Sequence, residues 1–123
     1  MILVDTSVWV DHLRHGDAAL ARLLKDGRVL AHRFVTGELA LGDMRDRDAV
    51  LGAMQDLPQA GVATDDELMG FIAQQSLFGS GIGYVDAHLL AAVRLSPGAS
   101  LWTRDKRLLA AGERLGVSAD FTR

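Results

Sequence analysis

Four carboxylates in this chain stand where metal-assisted chemistry can be done: Asp5, Glu38, Asp86 and Asp105. Asp5 follows the apolar run Ile2-Leu3-Val4 and so ends a short buried strand; Asp105 comes just after Leu101-Trp102-Thr103. In open parallel sheets, ligands bind beyond the carboxyl ends of the strands. Asp86 shares a helical face with Leu89, Leu90 and Val93, which puts a carboxylate on a buried stripe near a helix start. Glu38 falls in the first turn of a helix capped by Thr36. Taken singly, each has an ordinary reading. Asp5 caps the following turn, Asp105 caps a helix, Glu38 answers a helix dipole, and Asp86 pairs with an internal Arg or Tyr. Taken together, three of them sit after strands or at helix starts on one side of a sheet, and Asp86 joins them from a helix. Gathered carboxylates repel one another unless a cation neutralises them, and hard oxygen ligands without Cys suit magnesium or manganese. Such a centre can orient and deprotonate a water and hold the oxygens of a phosphodiester in line.

These residues need a scaffold, and the hydrophobic pattern supplies one. Strands are expected at Ile2-Leu3-Val4, Val29-Leu30-Ala31, Gly61-Val62-Ala63-Thr64 and Leu101-Trp102-Thr103, with an edge strand from Val117 to Phe121. Between them lie helical stretches: Ser7 to Leu13; a helix capped by Asp17 and stopped at Gly27; the Glu38 helix; and Asp48 to Leu57, ended by Pro58. A helix with an Asp65-Asp66 cap follows, then, past the break Gly79-Ser80-Gly81-Ile82-Gly83, one from Tyr84 to Leu95. The last opens at Asp105 and closes at Gly116. Strands alternating with helices imply an α/β fold with a mostly parallel sheet.

Composition narrows the class. A length of 123 residues suits one compact domain, 1–123, and 49 % apolar residues can fill its core. No cysteine is present, which removes disulfides, thiolate-bound zinc and thiol catalysis, and fits a reducing, cytoplasmic setting. Met1-Ile2-Leu3-Val4-Asp5 reads as a buried strand rather than a signal peptide, and no segment approaches the roughly 20 apolar residues that a membrane span requires. A net charge of −3 argues against broad nonspecific binding to nucleic acid, yet setting the four carboxylates aside turns it into +1.

Four stretches then carry a resemblance: Val4-Asp5-Thr6-Ser7-Val8, Val35-Thr36-Gly37-Glu38-Leu39, Gly81-Ile82-Gly83-Tyr84-Val85-Asp86-Ala87-His88-Leu89-Leu90 and Leu101-Trp102-Thr103-Arg104-Asp105-Lys106-Arg107-Leu108. In this order and spacing, from residue 2 to about residue 116, the chain resembles the PIN-domain ribonucleases, and most closely the VapC-type toxins of bacterial toxin–antitoxin pairs. The resemblance implies a three-layer α/β fold whose central, mostly parallel sheet is flanked by helices. It implies that Asp5, Glu38, Asp86 and Asp105 are the catalytic, metal-centred residues, with Mg2+ as cofactor and Mn2+ as a substitute. It further implies an RNA substrate, a cognate antitoxin whose basic side chain reaches the acidic pocket, and a homodimer formed through helices outside it.

Other readings leave marks that are missing or weaker here. A haloacid dehalogenase-type phosphatase wants a second Asp two residues after the first, where this chain has Ser7; a response-regulator receiver wants an acidic pair ahead of its Asp. The remaining alternative is a PIN-like RNA-binding domain without catalysis, against which all four acidic positions speak. Thr6, Ser7 and Thr103 are hydroxyls placed to hold metal-bound waters or a carboxylate, or to serve as turn hydroxyls. Arg104, Lys106 and Arg107 flank Asp105, either to meet RNA phosphates or as a solvated helix start. Trp9 and Trp102 belong to the core, and none of His12, His15, His32 and His88 is read as a ligand; His88 is expected to point away from the Asp86 face.

Overall fold

A computed structural model describes residues 1–119. The run Ile2-Leu3-Val4 forms β1 (Ile2–Val4), buried at every position because it lies between two neighbours in the sheet. Those neighbours are β2 (Val29–Leu30) and β3 (Ser100–Trp102), in the order β2-β1-β3, with both pairings parallel. Fully buried parallel strands read as continuous apolar runs, which is what the sequence shows here. Isolated parallel bridges widen the sheet on both sides: Ala31 pairs with Gln59, and Leu101 with Ser118.

Among the described residues, seven helices flank the sheet: α1 (Thr6–His15), α2 (Ala18–Lys25), α3 (Arg33–Leu41), α4 (Arg47–Asp56), α5 (Asp65–Gln74), α6 (Tyr84–Leu95) and α7 (Lys106–Arg114). The expected α/β architecture with a parallel sheet between helices is the one observed. Helix α6 matches its expected limits and is buried at every position from Ala87 to Val93. Leu89 and Leu90 join the main core with β1, β3 and α1, while Ala87 and Ala91 pack with Leu68 of α5 in a smaller cluster. Each large aliphatic side chain sealed in this way contributes on the order of 2 kcal/mol.

Three local expectations are corrected. No strand forms at 61–64; the bridge is made earlier, at Gln59, where Ala31 N–H donates to Pro58 O and Ala60 N–H to Ala31 O. Helix α3 begins at Arg33 with His32 as its cap, so Thr36 lies inside it and Glu38 stands in the second turn. The cap of α5 is Thr64, whose side chain accepts from Glu67 N–H while Glu67 accepts from Thr64 N–H; Asp65 and Asp66 are helical. His88, for which no ligand role was expected, is enclosed, only 2 % exposed. The tail expected as an edge strand pairs at 117–119, where Leu101 N–H donates to Val117 O and Ala119 N–H to Leu101 O; Asp120 and Phe121 lie outside the described residues. Gly112 makes this pairing possible, since a Cβ there would stand 2.8 Å from Ser118 Oγ.

Candidate metal centre at the carboxyl edge of the sheet

Asp5 leaves β1 as the cap residue of α1, with its backbone still in the sheet: its N–H donates to Trp102 O at 2.9 Å. Its side chain is 5 % exposed, and a buried carboxylate must be answered by donors. Two hydroxyls do so, Ser7 Oγ and Thr103 Oγ1, each donating to Asp5 Oδ2 at 2.7 Å. Backbone donors orient both hydroxyls. Arg104 N–H donates to Ser7 Oγ at 3.0 Å, and Asp105 N–H to Thr103 Oγ1 at 3.0 Å. Each hydroxyl therefore accepts from the loop after β3 and donates its own O–H to Asp5, which ties the ends of two neighbouring strands together. The hydroxyls that the sequence left open between roles hold a carboxylate.

The other acids are anchored by the same economy. Thr6 Oγ1 donates to Glu38 Oε1 at 2.7 Å, joining α1 to α3. Gly83 N–H donates to Asp86 Oδ2 at 3.1 Å, at the first turn of α6. Asp105 caps α7 through Leu108 N–H, which donates to its Oδ1 at 2.9 Å. In all four acids one carboxylate oxygen is committed to a protein donor. The second oxygen has no partner among the described residues.

The four also feel one another. Asp86 is half-buried, and its carboxyl is held above the usual range, first by burial and then by the charges of Asp5, Asp105 and Glu38; the Gly83 amide opposes the shift. Asp5 is buried, whereas Glu38 and Asp105 are exposed at the rim. With side chains as they stand, no three His, Asp or Glu among the described residues close on a point as direct ligands of one ion. A hydrated magnesium ion does not require that, because it keeps several waters and takes one or two carboxylates directly. An all-oxygen set with one free oxygen per acid fits such an ion.

Basic residues near Asp105 prove unequal. Arg104 Nη1 donates to Asp11 Oδ2 at 2.6 Å and Nη2 pairs with Asp17, so its charge is answered twice. Its guanidinium carbon stands 5.6 Å from the Trp102 ring centre. The sequence offered no sign of this, because Asp11 and Asp17 are far from Arg104 along the chain. Trp9 is core, as expected, and Trp102 packs partly buried against it.

Thr103 offers a direct check on the hydroxyl relay. Thr103→Val keeps the shape but leaves a buried carboxylate short of a donor, and should lose about 2 kcal/mol of stability, whereas Thr103→Ser should lose much less. Urea melts of the three proteins decide; a valine variant as stable as wild type rules the relay out.

Comparison with known proteins gives the family. The PIN-domain family model matches residues 2–114. Ribonuclease VapC32 of Mycobacterium tuberculosis, in two strains, is 51 % identical over 118 residues, covering 96 % of this chain and 95 % of the relative. The crystal structure of PAE2754 from Pyrobaculum aerophilum superposes with a TM-score of 0.61 at 20 % identity, covering 97 % of this chain and 87 % of that one, a likeness of fold. With a parallel sheet whose carboxyl edge gathers Asp5, Glu38, Asp86 and Asp105, and with these matches along nearly its whole length, the chain belongs to the PIN-domain family and to its VapC type.

Proposed function

We propose that this protein is a magnesium-dependent ribonuclease that hydrolyses RNA phosphodiester bonds, and that it is the toxin of a toxin–antitoxin pair. One observation carries the reading: four carboxylates are each anchored through one oxygen with the other left free, and a half-buried one of them is electrostatically strained by the rest. Likeness to a protein named as a ribonuclease supports RNA as the substrate. Asp5, Glu38, Asp86 and Asp105 would hold Mg2+, or Mn2+ in its place. Once bound, the ion supplies charge to offset the phosphate and acidity to its water. Asp5, the most enclosed, is the rigid base of the site because Ser7 and Thr103 fix its orientation. Asp86, whose proton affinity is raised, is suited to take a proton from an attacking water.

The antitoxin is expected to seat against this face. A groove of about 740 Å³ between α1, α3 and α4 is lined by Val10, Leu39, Met44 and Val50 together with the charged Arg14 and Arg45, and Glu38 is among its walls. A basic side chain arriving there would gain charge-assisted hydrogen bonds to the free carboxylate oxygens and compete with the metal. A homodimer and a cytoplasmic setting belong to the same reading. No helix among the described residues is long and apolar enough to cross a membrane.

Purified protein should cut RNA with magnesium or manganese and lose the activity in excess chelator, and Asp5→Asn should be inactive in both. Full cleavage in chelator would sink the metal mechanism. The same assay on protein co-expressed with the product of the neighbouring reading frame reads the antitoxin half: cleavage should disappear, and unchanged cleavage overturns it.

A further inference from the structure

Three basic side chains adjoin the acidic site in sequence, and only one of them both lies against a neighbouring segment and has no carboxylate partner among the described residues. Arg104 is neutralised by Asp11 and Asp17. Lys106 makes no hydrogen bond or ion pair among the described residues, so nothing there holds it in one place. Arg107 is different. From the first turn of α7 its side chain lies across the loop that leads into α6, with Nη1 3.5 Å from Gly81 O. Gly81, at φ +82°, leaves the space it occupies: a Cβ there would stand 2.9 Å from Arg107 Cδ and 3.0 Å from Nη1.

This placement is chemically pointed. The guanidinium bridges two segments, one opened by Asp105 and the other leading to Asp86, yet no carboxylate among the described residues lies within ion-pair distance of it. A free cation beside several acids would ordinarily swing onto one of them. Arg107 instead lies over the Gly81 backbone, and the carbonyl 3.5 Å from its Nη1, unlike a carboxylate, does not cancel its charge. A planar guanidinium kept apart in this way has several N–H groups left for an anion that a paired one has lost, and it matches the oxygens of a phosphate two at a time.

We propose that Arg107 is the substrate-binding residue that receives an RNA phosphate neighbouring the scissile one, with Gly81 as the seat that keeps it off the acidic cluster. This rests on the ribonuclease reading above. Arg107 binds the backbone without contributing to bond cleavage, whereas Arg104 holds the loop around Asp105 and meets no RNA.

The test uses the full chain and one RNA oligonucleotide as probe. Arg107→Gln should raise KM for magnesium-dependent cleavage by about tenfold while kcat stays within about twofold and the melting temperature is unchanged. Lys106→Gln, the comparator, should move KM by less than about twofold. Binding is read separately in an Asp86→Asn background, which leaves the RNA intact. There, adding Arg107→Gln should weaken affinity and lower the slope of log affinity against log salt by about one, the signature of one lost phosphate contact. Wild-type protein that leaves RNA uncut with magnesium overturns the ribonuclease reading alone. An affinity and salt slope unmoved by Arg107→Gln overturn the proposal, as does a loss confined to kcat.

Discussion

Asp86→Asn is expected to lose RNA cleavage by more than about a hundredfold and yet to melt at a higher temperature than wild type in chelator. The catalytic loss follows because removal of even an outer partner of a metal ligand costs 10- to 100-fold, and Asp86 is proposed as a ligand itself. The gain in stability follows from its surroundings. Its charge is disfavoured first by burial and then by Asp5, Asp105 and Glu38, so the metal-free fold carries a strain that an amide does not. Asparagine keeps an oxygen for Gly83 N–H, so the first turn of α6 stays anchored. Added magnesium should raise the wild-type melting temperature and the variant's much less, because a ligand that prefers the folded state stabilises it. A structural Asp86 predicts the reverse, with the variant melting lower in every buffer. That outcome would remove the main electrostatic support for the centre.

Mild acid should destabilise the protein through His32, by on the order of 3 kcal/mol between pH 6.5 and about 4. His32 is 0 % exposed and caps α3, its Nδ1 accepting from Phe34 N–H at 3.0 Å. The neutral ring therefore carries its proton on Nε2. A second proton would have to sit on Nδ1, breaking the cap and placing a charge in the core beside the His88 ring, 6.4 Å away. Burial, and then the positive charges of His88 and Arg33, push the His32 imidazole down to about 4. The sign follows directly. Below pH 6.5 the unfolded chain takes up a proton that the folded one refuses, so stability is complete above that value and falls as pH drops toward 4. Below about 4 both states are protonated and the loss levels off. His32→Asn, which can still cap the helix, should show a flatter pH dependence whatever its absolute stability. Urea unfolding of both proteins at pH 7 and pH 4.5 measures this. Equal pH slopes would show that His32 does not carry the effect.

Both results depend on how local and distant chemistry divide between sequence and structure. What the sequence determined by itself was local. Ile2-Leu3-Val4 makes a buried strand because three consecutive apolar residues need both faces covered. Asp17 and Asp105 cap their helices because a short carboxylate reaches an N–H three residues on, at 2.9 Å in both cases. The limits of α6 were readable from the glycine break before it and the apolar period within it. Asp5, Asp86 and Asp105 were legible because each stands at a strand end or a helix start, whereas Glu38, inside the second turn of α3, does not.

Tertiary structure decided the rest, since those partners are distant in the chain and no periodicity encodes them. The strand expected at 61–64 yields to a single bridge at Gln59, because Ala31 needed a partner and the chain after Pro58 arrives beside it first. His32, not Thr36, starts α3, and this moves Glu38 into the second turn, where Thr6 can hold it. His88 is enclosed because α6 is covered on every side by its neighbours, a condition that the pattern of one helix cannot express. Nor could the sequence tell Arg104 from Arg107. One meets Asp11 and Asp17 across more than 85 residues, and the other finds a glycine backbone 26 residues upstream. Types and spacing name the groups able to do chemistry; which oxygen is anchored, and which charge stays unanswered, is decided where separate strands and helices converge.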